Sequence, residues 1–321
     1  SAWPPLAPGG SCAANQRHER GLLHRREGRA LGCGPGPKSE MTEKLKSLLP
    51  PHPFHIPADQ ATRLAETLGL SAEQLMLELI PVARSYAQPP VSRFQVGAVA
   101  RGRSGDLYLG VNLEFPGQSL IQTVHAEQCA VTNAMSHGEK GLEALAVSSE
   151  PCGFCRQLLN ELADGGRLTV LIPSQEPIPL AELLPRSFGP GDLGIEDRLL
   201  AQTVEPLEVP PEAPELVREA FLAANRSYAP YSRNPAGIAL RTADGKVFTG
   251  AYAENAAFNP STSPLHAALI QMVGQGRDFN EVLEAVLVEP ESAQVSQIGV
   301  TRLLLEQVAP QARLTVHRAR R

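Results

Sequence analysis

His125-Ala126-Glu127 and Pro151-Cys152-Gly153-Phe154-Cys155 are the residues of this chain whose types and spacing could do chemistry. One imidazole and two thiols make three ligands for a zinc ion and leave its fourth position open, while Glu127 need not be a ligand. Coordination lowers the pKa of water from about 16 to about 7, so a zinc-bound hydroxide becomes available to attack an amidine-like ring carbon. Glu127, two residues beyond the imidazole, projects to a different side of the first helical turn and can face the open position. There it would take the proton from the water, pass it to the ring nitrogen beside the reacting carbon, and later protonate the departing amine. The work requires a carboxyl pKa raised by burial in a dry pocket.

The elements that must position these groups can be read locally. Cys152 and Cys155 share one face of a first helical turn if residues 153–163 are helical, and unpaired backbone N–H groups there favour thiolates. His125 begins an apolar run, Ala126 to Met135, that reads as a second helix, and a strand-like Ala144 to Ser148 leads into Pro151. A lone Cys-x-x-Cys could be a redox dithiol or half of a structural finger. No second Cys-x-x-Cys is present to close a four-thiolate site. His-x-Glu followed by Pro-Cys-x-x-Cys is, moreover, the known signature of zinc-dependent nucleobase deaminases.

The segments Arg93-Phe94-Gln95-Val96-Gly97-Ala98, Gly110-Val111-Asn112-Leu113-Glu114, His125-Ala126-Glu127-Gln128 and Pro151 to Gln157 closely resemble cytidine deaminase of the two-domain, homodimeric, zinc-dependent type. The resemblance runs in order from about Leu75 to the C-terminus and implies hydrolysis of cytidine and 2′-deoxycytidine to uridine and 2′-deoxyuridine with release of ammonia, a reaction of pyrimidine salvage. It implies one Zn2+ per chain on His125, Cys152 and Cys155, with Glu127 as proton shuttle. Asn112 and Glu114 alternate along a strand and so project the same way; an amide beside a carboxylate suits a free sugar hydroxyl, and the charge would repel a phosphate. In the family the matching pair binds the 3′-hydroxyl. The plain alternative is that the two merely end a strand in solvent. The resemblance also gives Phe94 and Phe188 as aromatic contacts of the pyrimidine and Ala126 as a base contact through its backbone N–H. A phenylalanine in a strand is otherwise commonly core.

A second feature is an internal duplication. Arg226-Ser227-Tyr228-Ala229 and Ser232-Arg233 echo Arg84-Ser85-Tyr86-Ala87 and Ser92-Arg93, Gly237 falls where Gly97 does, and Gly250 to Asn255 parallels Gly110 to Glu114. The copy then loses its chemistry: Ala268 stands where Glu127 does, and Glu291 and Gln294 replace the two cysteines. His266 remains, a packed or hydrogen-bonded histidine rather than a ligand. The C-terminal half is expected to be a folded, non-catalytic copy, and the resemblance implies that it completes a homodimer.

These readings give an α/β chain: a three-layer α/β/α sandwich with a mixed sheet, duplicated, behind a small N-terminal helical segment. The expected divisions are 1–40, a disordered extension rich in Gly, Pro and Arg; 41–88, helical, with helices at 58–68 and 71–86, the second opened by a Ser71/Gln74 capping pattern; 89–173, the zinc domain; 174–212, a Pro-rich linker; and 213–321, the degenerate repeat. At 321 residues, with 42% apolar residues and a net charge of −5, the chain has room for two cores and no electrostatic footprint for nucleic acid. No apolar run approaches a membrane span. Of five cysteines, Cys12, Cys33 and Cys129 show no pairing pattern, which favours a reducing cytoplasm, and Cys129 reads as core filler. Readings left open are a deaminase of another amino-pyrimidine, of a nucleotide or of nucleic-acid cytosine, and a binding module that uses zinc only as a structural clip.

Overall fold

A computed structural model describes residues 40–163, 165–203 and 205–320. The expectation for residues 1–40 lies outside them except for Glu40, which opens the first helix, α1 (Glu40–Leu48). Next come β1 (His55–Ile56), α2 (Ala58–Leu68) and α3 (Ala72–Arg84). The Ser71/Gln74 capping pair forms in both directions: Ser71 Oγ accepts from the Gln74 N–H at 3.2 Å and Gln74 Oε1 accepts from the Ser71 N–H at 2.8 Å.

The first repeat then alternates β2 (Gly97–Gly102), β3 (Leu107–Val111), α4 (Ala126–Ser136), β4 (Leu142–Val147), α5 (Gly153–Leu159) and β5 (Thr169–Leu171). Residues read as linker instead add an edge strand, β6 (Ile178–Pro179), and a short helix, α6 (Leu180–Leu183). The Pro-rich composition hid them, because an edge strand tolerates proline where a central one does not. The second repeat follows with α7 (Glu215–Ala224), β7 (Gly237–Thr242), β8 (Val247–Ala251), α8 (Pro264–Gly274), β9 (Val282–Pro290), α9 (Ile298–Val308) and β10 (Arg313–Ala319).

The sheets are mixed and repeat one plan. The first runs β1-β3-β2-β4-β5-β6 and the second β10-β9-β7-β8, so β8-β7-β9-β10 copies β3-β2-β4-β5. In each, two antiparallel pairings are followed by one parallel pairing. Even an irregularity recurs, between Arg101 and Gly102 against β4 and between Arg241 and Thr242 against β9. Alternation along β2 serves two faces: Gly97 meets Ile80 and Arg84 of α3, while Ala98 and Ala100 share a core cluster with Ala130 of α4. Helices therefore cover both faces of the sheet.

Close approach fixes α4 on the sheet. A methyl group on Gly110 would lie 2.2 Å from the Ala126 carbonyl oxygen and 2.4 Å from the Ala130 nitrogen. Gly250 stands equally close to Pro264 and Ala268 of α8, at 2.1 and 2.5 Å. Glycine at these two positions lets each helix lie directly on its strand. The largest buried cluster joins both halves, from Leu45, Leu79 and Leu109 to Leu240, Leu269 and Leu304. No helix among the described residues is long and apolar enough to cross a membrane.

Candidate active site

His125 and Cys152 both sit at N-cap positions, of α4 and α5, with extended backbone that aims their side chains across the helix starts. β3 and β4 bring the two helices together, since α4 rests on β3 and α5 follows β4. Cys155, one turn into α5, is buried. Its sulfur lies 3.3 Å from His125 Nδ1 and 3.7 Å from Cys152 Sγ, and Cys152 Sγ lies 3.6 Å from His125 Nδ1. Tetrahedral zinc with its usual bond lengths sets sulfur to sulfur at about 3.8 Å and sulfur to nitrogen at about 3.5 Å. The donor set therefore fits the ion without rearrangement. Among the described residues no other group of three or more His, Cys, Asp or Glu gathers its ligand atoms in this way.

Electrostatics agree with a metal-binding role. The Cys152 thiol is pushed down to about 5, first by its side-chain interaction with Cys155 and also by the N–H groups of Cys155 and Phe154 and the neighbouring imidazole. Cys155 is pushed up, first by its side-chain contact with Cys152 and then by burial. Phe154 stacks on the His125 ring, with centroids 5.1 Å apart, and fixes its plane.

Glu127 borders this cluster. Its side chain is buried, within hydrogen-bonding reach of the Cys155 thiol, and burial raises its pKa over the opposing effect of nearby N–H and thiol donors. Ala126, the first residue of α4, has no intrahelical carbonyl for its N–H to reach.

Phe94 is 45% exposed and Phe188 47% exposed, so neither ring is core. The Phe188 carbonyl accepts from Gln157 Nε2 and Asn160 Nδ2 at 2.7 and 3.1 Å, which ties its loop to α5. Asn112 is buried rather than projecting freely: its amide donates to the Phe94 carbonyl at 2.9 Å and accepts from the Val96 N–H at 2.9 Å. Glu114 accepts from the N–H groups of Val91 and Ser92 at 2.9 and 2.8 Å. Both residues therefore shape the Phe94 loop from below, a task their alternation along a strand could not reveal.

Residues whose part was not anticipated hold the same frame. Arg156 donates to the carbonyls of Pro151 and Leu183 at 2.7 and 2.8 Å, bracing the turn into α5. Gln128 donates to Thr262 Oγ1 of the second repeat at 2.9 Å. Helix α5 itself ends at Leu159, short of the expected residue 163. In the second repeat His266 is buried against the Phe115 ring at 5.8 Å, with Nδ1 on Ser263 Oγ at 2.8 Å. Glu291 and Gln294 are exposed.

Comparison with known proteins gives the following. Residues 70–170 and 180–302 each match the family model described as the cytidine and deoxycytidylate deaminase zinc-binding region. The cytidine deaminase of Serratia proteamaculans is 47% identical over 256 residues, which is 80% of this chain and 87% of that protein. That of Photobacterium profundum is 43% identical over 288 residues, 89% of this chain and 96% of that protein. A crystal structure of cytidine deaminase from Mycobacterium tuberculosis is 36% identical, covering 36% of this chain and 95% of that one, with a TM-score of 0.33.

Proposed function

The chain belongs to the cytidine deaminase family, and on that premise we propose that it hydrolyses the exocyclic amine of cytidine and 2′-deoxycytidine, releasing ammonia and leaving uridine and 2′-deoxyuridine. The observation that carries this reading is the convergence of His125, Cys152 and Cys155 beside the buried carboxyl of Glu127. Zinc is the cofactor, and when bound it supplies the Lewis acidity that makes water nucleophilic at neutral pH.

The protein's residues have distinct tasks in this proposal. His125 and the two cysteines hold the ion. Glu127 takes one proton from the attacking water and delivers it to the ring nitrogen beside the reacting carbon, then takes the remaining proton of that oxygen and hands it to the amine as the carbon–nitrogen bond breaks and the carbonyl forms. Burial of Glu127 supports that role, since it favours the protonated form the second transfer needs. The Ala126 N–H orients the base, and Phe94 and Phe188 pack on its faces, a role consistent with their exposure. Asn112 and Glu114, beneath the Phe94 loop, receive the sugar hydroxyl.

The proposed assembly is a homodimer in the cytoplasm with the C-terminal repeat at the interface. Leu120 and Ile121 of the first repeat and Phe258 of the second are 73, 59 and 66% exposed, apolar side chains of the kind a second copy would cover. The free thiols of Cys129, Cys152 and Cys155 suit a reducing compartment. Ammonia release from cytidine and from cytidine monophosphate, by protein of measured zinc content, tests the activity. Turnover of the nucleoside alone is expected; zinc-loaded protein inactive on cytidine would overturn the reading. Sedimentation velocity checks the dimer.

A further inference from the structure

Glu161 lies two residues beyond the end of α5, six past Cys155, and its side chain is fully buried. All three donors to its carboxyl come from the second repeat. Oε1 accepts from the Tyr228 hydroxyl at 2.7 Å and from the Tyr231 hydroxyl, and Oε2 accepts from the Ala256 N–H at 3.0 Å. Burial, together with the neighbouring Glu161 carboxyl, pushes both phenols upward, so they remain O–H donors. One residue before Ala256, Asn255 donates from Nδ2 to the Gln157 carbonyl at 3.1 Å, capping the last turn of α5. That helix is thereby fastened at its C-terminal end to the non-catalytic half.

Helix α4 is fastened to the same place. Its tether, Gln128 to Thr262, ends on a residue that exchanges two backbone hydrogen bonds with Ala253, at 3.1 and 2.7 Å. Tyr228 is tied in as well, its N–H donating to the Tyr252 carbonyl and its carbonyl accepting from the Glu254 N–H. The anchors of both ligand-bearing helices thus belong to one hydrogen-bonded unit of the second repeat. Tyr228-Ala229 echoes Tyr86-Ala87 of the first repeat in sequence, yet here Tyr228, with Tyr231, grips a carboxyl of the other half.

We propose that Glu161 is a positioning residue of the metal site: through Tyr228, Tyr231 and Ala256 it registers the helix carrying Cys152 and Cys155 against the helix carrying His125. The proposal rests on the reading of those three residues as the zinc ligands. The second repeat, without ligands of its own, then sets the spacing of the ligands in the first.

The test removes the two phenolic hydroxyls, which leave the ligands and their helix unaltered. Zinc affinity is measured by chelator competition, and the thiolate-to-metal bands are recorded on the cobalt-substituted full-length protein. Tyr228→Phe with Tyr231→Phe is expected to weaken zinc binding about tenfold and to shift the cobalt bands, with Glu161→Gln moving both in the same direction. If the double variant does not fold, each single variant carries the same two readouts. Folded variants with wild-type affinity and wild-type bands, even with a lowered melting temperature, overturn the proposal. Cys155→Ala run beside them separates the premise: undiminished zinc affinity in that protein refutes the ligand assignment itself, whatever the tyrosine variants do.

Discussion

Ser92 Oγ lies 2.5 Å from Glu114 Oε1, and Ser232 makes the matching bond to Glu254 in the second repeat. In both halves the glutamate also accepts two consecutive backbone N–H groups, and the next residue, Arg93 or Arg233, adopts positive φ. The clamp is a property of the repeat, retained where the sequence has lost the cysteine ligands. For Glu114, burial opposes ionisation, but the Ser92 hydroxyl and the two N–H groups outweigh it and keep the carboxyl below its ordinary range. A formal negative charge is therefore held at the proposed sugar contact. Glu114→Gln is expected to raise KM for cytidine roughly tenfold, the scale of a lost charged hydrogen bond, and to narrow the preference for nucleoside over monophosphate. Steady-state kinetics on both substrates decide it; an unchanged ratio would remove Glu114 from substrate selection.

Glu127→Gln preserves the volume of a buried side chain and removes its proton chemistry. Turnover should fall by roughly 10²- to 10⁴-fold or more, while zinc content measured by atomic absorption stays near one per chain. Retained turnover would refute the shuttle. Loss of zinc would instead make Glu127 part of the metal's support.

Gly110→Ala places a methyl group against backbone atoms of α4, which cannot move aside as a side chain can. The expected cost is about 1–3 kcal/mol or more of stability, together with weaker zinc binding as His125 is carried away from the thiols. Gly299, exposed in α9 with nothing within 4 Å of an added methyl, supplies the opposite sign: alanine there should stabilise by up to about 1 kcal/mol. Thermal melts of the two variants, with zinc titration of the first, check both signs. A neutral Gly110→Ala would contradict the close packing of α4 on β3.

Burial pushes the His266 imidazole down to about 4, against about 6.5 for a solvated histidine. Because the folded value is the lower one, the unfolded chain binds the extra proton between those limits. The stability from His266 is complete above about pH 6.5 and is lost as pH falls toward 4, by on the order of 3 kcal/mol. His266→Asn, which can keep a polar partner for Ser263, should flatten that part of the curve in chemical denaturation between pH 6.5 and 4. An identical slope in the variant would show that other groups dominate acid sensitivity.

The gathering of His125, Cys152 and Cys155, the duplication and the first helices were legible because each depends on local spacing. Residues 58–68 match α2 to the residue, and Ser71/Gln74 caps α3 as its chemistry requires. What escaped depends on partners far along the chain. Nothing local marks Glu161, whose carboxyl meets Tyr228 and Tyr231 about seventy residues on. The same interaction accompanies the early end of α5, since the chain leaves the helix to deliver that carboxyl to the second repeat. Asn112 looked free because an alternating strand reports direction and not the loop that folds over it. Residues 178–183 were hidden by proline, which weakens the local signal of a strand without forbidding one at a sheet edge.

The buried cluster that joins Leu45 and Leu109 to Leu240, Leu269 and Leu304 has a consequence for how the molecule comes apart. Two repeats with separate cores could melt one after the other. A shared core makes their stabilities one quantity, so heat or denaturant should take both repeats through a single cooperative transition. A core substitution in the half that lacks the cysteine ligands would then lower the unfolding temperature of the half that has them.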